Sequence, residues 1–295
     1  MIIDDNKTLV QIESCDMDAD GKCVIPYGVK RIAEDAAYYN ANIHSVIIPG
    51  SVTEIEKFAF MKCDNLTQVH ISTGVAIIGQ NAFADCVKLI KIEIPDTVVE
   101  MGNGVFEECE NLALVKFSTG LTRIPPSTCR NCNSLTSIVI PETVKKIGTN
   151  AFDGCAALKN IRLPQGLVAM GRAAFCNCAS LETINIPNQV YRIWDSTFHN
   201  CSSLKNVLGS EHLKQIDSFA FANCKSLESI NLSSAARVWD RAFQNCHPNF
   251  KINTEQYKEK VNDLFDAAMN SKLNDAITIK PAGLEIERGD IDDYR

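Results

Sequence analysis

The sequence predicts an α/β repeat solenoid, a rod of about ten stacked coils with a parallel sheet along one side and short helical turns closing each coil. Three observations predict it. Cys63, Cys86, Cys109, Cys132, Cys155, Cys178, Cys201 and Cys224 lie 23 residues apart without exception, and Cys246 follows after 22. A phenylalanine stands three residues before almost every one of these cysteines, and a leucine stands three after. Alternating apolar pairs such as Ile92 with Ile94, Ile138 with Ile140 and Ile184 with Ile186 keep the same step. A fixed period of this length marks an array in which no unit can bury its apolar side alone.

The elements follow in chain order. Residues 1–21 hold TLVQIES, which reads as a strand, and DADG, which reads as a turn, so this segment is expected to cap the start. The register begins near residue 22: Ile25, Pro26, Val29 and Ile32 fit the second half of a coil, and Asn40 stands at the cysteine position of the next. Within 22–253 each coil opens on the pattern L-x-x-I-x-I, a short strand with one buried face. A Pro or Ser, for instance Pro95, Pro141 or Ser118, ends it. A Val or Leu and then an Ile or Met follow, as in Val144 with Ile147. The A-F-x-x-C segment is expected to turn back as a short helical piece. Glycines recur at one turn position, Gly79, Gly102, Gly148 and Gly171, where a side chain would crowd or φ is unusual. At a strand spacing of about 4.8 Å, ten coils give a rod roughly 48 Å long. Residues 254–295 begin with EQYKEKVNDLFDAAMN, an amphipathic pattern with Thr254 as N-cap and Tyr257, Val261, Leu264, Phe265 and Ala268 on one face. This helix is expected to cap the last coil, followed by the acidic LEIERGDIDDYR.

Composition bounds the function. No run of 18 or more apolar residues exists, so no membrane insertion is expected. Net charge is −7, distributed as −5 over residues 1–21 (six acids, one Lys), −4 over 254–295 (ten acids, six bases) and +2 over the middle (20 acids, 22 bases). A nearly neutral body without a basic stripe argues against nucleic acid as a partner. The start lacks the basic and apolar regions of a secretory signal. The expected setting is therefore cytoplasmic, or a host cell reached without a cleavable signal. An extracellular or cell-surface setting is the alternative if Met1 is not the native start.

The thiols invite a chemical reading that their register opposes. Cys129 and Cys132 form C-R-N-C, and Cys176 and Cys178 form C-N-C. Cys132 and Cys178 are ladder positions and Cys129 occupies the phenylalanine slot, and no second pair stands at zinc spacing. Packing as a buried ladder under the next coil is the expectation, with neither metal nor disulfide framework. Cys23 takes a buried strand position, which leaves Cys15 as the exposed thiol. The histidines His44, His70, His199, His212 and His247 fall at different repeat positions, so they form no cluster. No nucleophile, base and orienting group come together. The chain is expected to be no enzyme, to need no cofactor and to act as a monomer.

IPETVKKIGTNAFDGCAAL (140–158) resembles the BspA-type leucine-rich repeat, I-P-x-x-V-x-x-I-G-x-x-A-F-x-x-C-x-x-L, almost position by position. The resemblance covers about residues 22–253. It implies a right-handed leucine-rich-repeat rod that binds other proteins or surface ligands and carries no catalytic residues. Many relatives are exported bacterial surface proteins. Others lack a signal and include proteins that bacteria deliver into host cells.

A partner would use the positions the repeat leaves free. Beside the buried strand residues these are Ser45 and Ile47, Gln68 and His70, Lys91 and Glu93, Leu114 and Lys116, Ser137 and Val139, Asn160 and Arg162. Thr183 and Asn185, Asn206 and Leu208, Ser229 and Asn231 continue the list. Leu114 and Val139, on adjacent coils and flanked by Lys91, Lys116 and Arg162, are expected to make an apolar centre with a basic rim. Pro125 and Cys129 depart from the repeat beside that patch. Trp194 replaces the usual Gly with Tyr191 nearby, placing two candidate anchor aromatics at one convex turn. Gly209, where a buried Ile is expected, is read as a bulge.

Overall fold

The computed structural model describes residues 1–13 and 16–254, which wind into a parallel β-solenoid of about eleven coils. Strands Lys22–Val24, Ser45–Ile48, Gln68–Ile71, Lys91–Glu93, Leu114–Lys116, Ser137–Val139 and Asn160–Arg162 form one seven-stranded sheet. Thr183–Asn185 pairs with Asn206–Leu208, and Ser229–Asn231 with Lys251–Asn253, continuing the same side of the rod in two further pieces. Each strand sits one repeat from its neighbour, so Leu114 lies opposite Lys91 and Ser137 opposite Asn160. The period-two burial expected from L-x-x-I-x-I is seen directly, with exposed–buried–exposed patterns in Lys91–Glu93, Leu114–Lys116 and Ser137–Val139.

A second parallel sheet runs along another side, which a reading of one strand per coil does not anticipate. Its strands are mostly two residues long: Arg31–Ile32, Glu54–Ile55, Ile77–Ile78 and Glu100–Met101, then Arg123–Ile124, Lys146–Ile147 and Ala169–Met170, then Arg192–Ile193, Gln215–Ile216 and Arg237–Val238. Two residues are too few to show alternation in a sequence.

The expected helical turns are not helices, and no α-helix occurs among the described residues. The backbone explains why. In coil after coil two residues four apart take positive φ: Phe58 and Lys62, Asn81 and Asp85, Ser127 and Asn131, Ala173 and Asn177, Ser196 and Asn200, Phe219 and Asn223. Left-handed residues interrupt the i to i−4 bonding of an α-helix. The freed N–H groups point along the rod instead, as Phe58 N to Gln80 O at 2.9 Å, Phe60 N to Ala82 O at 2.8 Å and Lys62 N to Ala84 O at 2.9 Å. The A-F-x-x-C segment is thus a third hydrogen-bonded ladder.

The core is columnar. Phe60, Phe83 and Phe106 stack, and Phe152, Phe175, Phe198, Phe221 and Phe243 stack again, at centroid distances of 5.2–6.1 Å. Cys129 interrupts the column. There Phe117, standing in the strand position of Ile94 and Ile140, is buried and meets Phe152 edge-on at 6.5 Å. Large and small have changed places within one slice of core.

At the start, Ile2–Ile3 pairs antiparallel with Thr8–Gln11, which pairs parallel with Arg31–Ile32. Met17 bridges antiparallel to Cys23 at the edge of the first sheet. The predicted C-terminal helix, the acidic tail and Cys15 lie outside the described residues.

Candidate functional site

The first sheet presents two rows of side chains to solvent. One row runs Gln68, Lys91, Leu114, Ser137, Asn160, and the other runs His70, Glu93, Lys116, Val139, Arg162. All ten are exposed, because the pleat turns them away from buried Ile92, Val115 and Ile138 and from partly buried Val69 and Ile161. Leu114 is 46% exposed and Val139 67%.

The register sets the relation of Leu114 and Val139. Val139 lies opposite Lys116, not opposite Leu114, whose neighbour on that coil is Ser137. The two aliphatics touch the same surface diagonally, with the Lys116 stem along one side. The basic rim is partly answered by acids: Lys116 Nζ lies 3.9 Å from Glu93 Oε2, and Arg162 Nη2 lies 3.4 Å from Glu142 Oε1. These exposed pairs are worth well under about 1 kcal/mol each, so both cations remain open to a partner's charge. His70 stands exposed beside Ile47, apart from the other histidines.

The departures at Pro125 and Trp194 act on the second sheet. Elsewhere the residue at the glycine position donates its N–H one coil back, as Gly79 to Ile55 O at 2.7 Å and Gly171 to Ile147 O at 2.8 Å. Pro125 has no N–H, and the second sheet is interrupted between Glu100–Met101 and Arg123–Ile124. It is interrupted again between Ala169–Met170 and Arg192–Ile193. There Trp194 brings a Cβ to a position where, at Gly102, Gly148 and Gly171, a Cβ would come within 2.3–2.5 Å of the preceding coil's backbone N. Crowding, rather than φ, is what the glycine column answers to.

Trp194 itself is half-buried and not a free anchor. The Arg192 guanidinium stacks on it, 3.6 Å from the ring centroid. Arg192 in turn grips Asp217 on the next coil, with Nε 3.0 Å from both carboxylate oxygens and Nη2 2.7 Å from Oδ2, while Gln215 Nε2 adds a bond to Oδ1 at 2.9 Å. Asp217 is buried, and this paired charge explains how it can be. Tyr191, 52% exposed, keeps its ring open under Lys214 Nζ at 5.1 Å. Gly209 takes φ +68° and interrupts the first sheet rather than bulging it. A Cβ there would meet Ile186 O at 2.4 Å. The buried Ser210 hydroxyl donates to Asn231 O at 2.7 Å across the gap.

The thiols hold the rod together. Each ladder thiol donates to the carbonyl of the phenylalanine position one coil back: Cys86 to Phe60 O, Cys178 to Phe152 O and Cys224 to Phe198 O, all at 3.2 Å. Burial pushes the thiols of Cys86, Cys109, Cys132, Cys155, Cys178 and Cys224 well up and Cys246 up to about 12, and outside the ladder it pushes Cys23 up to about 11 and Cys176 up to about 12. A thiol raised in this way is a poor nucleophile at neutral pH. Among the described residues no group of His, Cys, Asp and Glu could hold a metal ion. No described helix is long and apolar enough to cross a membrane.

Sequence reading missed an amide ladder beside the cysteines. Asn223 donates to Asn200, and Asn200 to Asn177, at 2.8 Å each, and Asn245 donates to Asn223 at 3.0 Å. The signal was present, since Asn tolerates positive φ better than most residues. Arg192 and Asp217 were missed because their partnership spans coils that differ from the consensus.

The BspA type leucine rich repeat family model matches residues 30–139 and 122–249, in six copies. Among solved structures the chain is similar to a leucine rich repeat protein of T. pallidum, at 24% identity over 72% of this chain and 86% of that one, with a TM-score of 0.52. It is also similar to the pneumococcal vaccine antigen PcpA, at 15% identity over 88% and 89% of the two chains, with a TM-score of 0.54. A leucine rich cell surface protein from Faecalibacterium prausnitzii shares 24% identity over 92% and 96%, with a TM-score of 0.43. At these identities the likenesses concern the fold. No curated protein matches the chain in sequence.

Proposed function

The chain belongs to the BspA-type leucine-rich-repeat family, and on that premise we propose that it is a non-catalytic scaffold recognising another protein through the open face of its first sheet. Repeat proteins of this kind are generally non-catalytic, and no enzyme family is indicated. The observation that carries the reading is the pair of exposed rows from Gln68 to Arg162, in which Leu114 and Val139 stand free among Lys91, Lys116 and Arg162. An apolar centre with a polar rim is the common anatomy of a protein interface. His70 and Glu93 extend the surface toward earlier coils. Tyr191, with Trp194 beneath Arg192, supplies a second contact on the turn side. The mechanism is surface complementarity, able to occlude a partner's active site. Its setting in this proposal is a host cell, in which the chain acts as a monomer.

The exported surface members of the family set the second reading, an extracellular adhesin. Labelling of intact producing cells with an antibody to the rod separates the two, since only an adhesin stains without permeabilisation.

The test of the site is affinity capture with wild type beside a Leu114→Asp, Val139→Asp double variant. Both positions are solvent-facing, so the variant is expected to keep the wild-type melting curve and lose the retained protein. A partner held equally by both would remove the sheet face from consideration and leave the Tyr191–Trp194 turn.

A further inference from the structure

The turn ladder has a direction, and its first coil is left partly unpaired. N–H groups of alternate turn residues point toward the next coil: Asp35 N reaches Lys57 O at 3.4 Å, Ala37 N reaches Ala59 O at 2.7 Å and Tyr39 N reaches Met61 O at 2.9 Å. The carbonyls between them point back. The counterparts of those three acceptors, 23 residues earlier, are Glu34, Ala36 and Tyr38. Their carbonyls therefore face the N-terminal end of the rod, where the chain supplies one donor, Ile12 N to Ala36 O at 2.8 Å. No N–H of the described residues reaches Glu34 O or Tyr38 O.

A pocket of about 240 Å³ lies at this end, between Val10, Gln11 and Ile12 on one side and 34–38 with Asn40 on the other, and its lining is mostly polar. A drug-sized molecule needs roughly 300–1,000 Å³, so the space suits a side chain. Asn40 is already engaged, donating to Ile12 O at 3.2 Å and accepting from Asn42 N at 3.1 Å. The neighbouring charges are also paired, Lys57 Nζ with Glu34 Oε1 at 2.9 Å and Arg31 with Glu56. Asp35 differs: it is exposed, and its carboxylate makes no hydrogen bond or ion pair with the described residues. Tyr38 lines the pocket with its ring exposed, and the exposed Tyr39 ring lies 6.2 Å away. Residues 1–21, which form the cap beside it, carry a net −5, a field that draws in a cation.

We propose that this pocket takes the guanidinium of an arginine presented by a partner protein. A guanidinium carries five N–H donors in one plane and no acceptor, which suits two open carbonyls and a free carboxylate. Its face stacks on a tyrosine ring. A lysine ammonium brings its three donors to a single point and has no face to stack. The apolar rim selects a protein over a free amino acid. Val10 is exposed, as is the strand Ile2–Ile3 that pairs beside it, and a larger partner covers such surface where a small molecule does not. The proposal is independent of the sheet-face site at Leu114 and Val139.

Amide chemical shifts of the isotope-labelled full chain, titrated with the capped tripeptide Leu-Arg-Leu, test it. Shifts are expected to concentrate at residues 10–12 and 34–40 and to weaken at high salt. The peptide with lysine in place of arginine should bind at least several-fold more weakly. The peptide with citrulline, which keeps the shape and loses the charge, should leave these residues unshifted. Asp35→Asn, which suits φ +58°, and Tyr38→Ala should each weaken the arginine peptide several-fold while keeping the wild-type melting curve. Equal binding of the lysine and arginine peptides would overturn the guanidinium assignment. Free arginine binding as tightly as the peptide would overturn the protein source in favour of an amino-acid site. Absence of shifts at 34–40, or shifts undiminished in both variants, would overturn the proposal outright.

Discussion

At the scale of single residues, the cysteine is chosen for what its thiol does while neutral. A serine in the same place would bring a more polar hydroxyl, and an alanine would leave the carbonyl one coil back without its donor. Burial pushes Cys86, Cys109, Cys132, Cys155, Cys178 and Cys224 well above the ordinary value near 9, Cys23 up to about 11 and Cys246 up to about 12. In the unfolded chain they ionise near that ordinary value, so above pH 9 the unfolded state binds fewer protons than the native one. Stability from this source is complete below pH 9 and is lost as pH rises toward 11–12. The urea midpoint is therefore expected to drop steeply between pH 9 and 11, with few thiols of the native protein reacting with a thiol reagent at pH 7. Ten or more fast-reacting thiols in the native chain would refute the buried ladder. The exchange of size between Cys129 and Phe117 is testable in the same way. Cys129→Phe alone overpacks a filled slice and is expected to cost about 1–3 kcal/mol. Adding Phe117→Ile should recover most of that, a coupling that a double-mutant cycle in urea measures directly.

At the scale of the element, each coil is held by three hydrogen-bonded ladders, and the closeness of coils is set at the glycine column. Gly148→Ala would place a Cβ 2.4 Å from Pro126 N, forcing backbone apart, and is expected to cost about 1–3 kcal/mol. Thr149→Ala, exposed and one residue on, should stay within about 0.5 kcal/mol, and equal costs for the two would show that the column is not tight. The elements also show which parts of this molecule are written locally. Burial of Ile92 or Val115 follows from alternation in a few neighbouring residues, so the first sheet and its exposed rows could be read in advance. The turn ladder could not, because A-F-x-x-C has an apolar spacing that suits a helix. Its rejection lies in paired positive-φ sites such as Ala173 and Asn177, which an asparagine hints at and an alanine does not. The site was legible as a set of outward residues but not as a surface. The 23-residue step already sets Val139 beside Lys116, but Trp194 is half-covered because Arg192, stacked on it, answers to Asp217 a full coil away.

At the scale of the whole molecule, the rod behaves as a line of coils in which each interface contributes separately, so its weakest interface decides whether it unfolds as one unit. That interface lies between residues 160–170 and 183–193, the one junction among the described coils where both sheets stop together: Asn160–Arg162 ends the first and Ala169–Met170 the second. Across it run the turn ladder, with Ala173 N to Asp195 O at 3.0 Å, Phe175 N to Thr197 O at 2.9 Å and Asn177 N to His199 O at 2.8 Å, the side-chain bonds from Asn200 to Asn177, Thr197 to Gly171 O and Cys201 to Phe175 O, and the Phe175–Phe198 stack at 5.6 Å. Phe175→Ala removes the largest side chain from that junction, whereas Phe83→Ala removes the same side chain where the first sheet runs unbroken. Each is expected to cost about 3–5 kcal/mol. Their unfolding should differ in kind. Phe175→Ala is expected to split urea denaturation into two transitions, with amides of 183–253 exchanging hydrogen well before those of 22–162, while Phe83→Ala shifts a single transition. One transition in both variants, with uniform exchange along the rod, would mean that the turn ladder and the cysteine column couple the coils strongly enough to make the sheet breaks energetically silent.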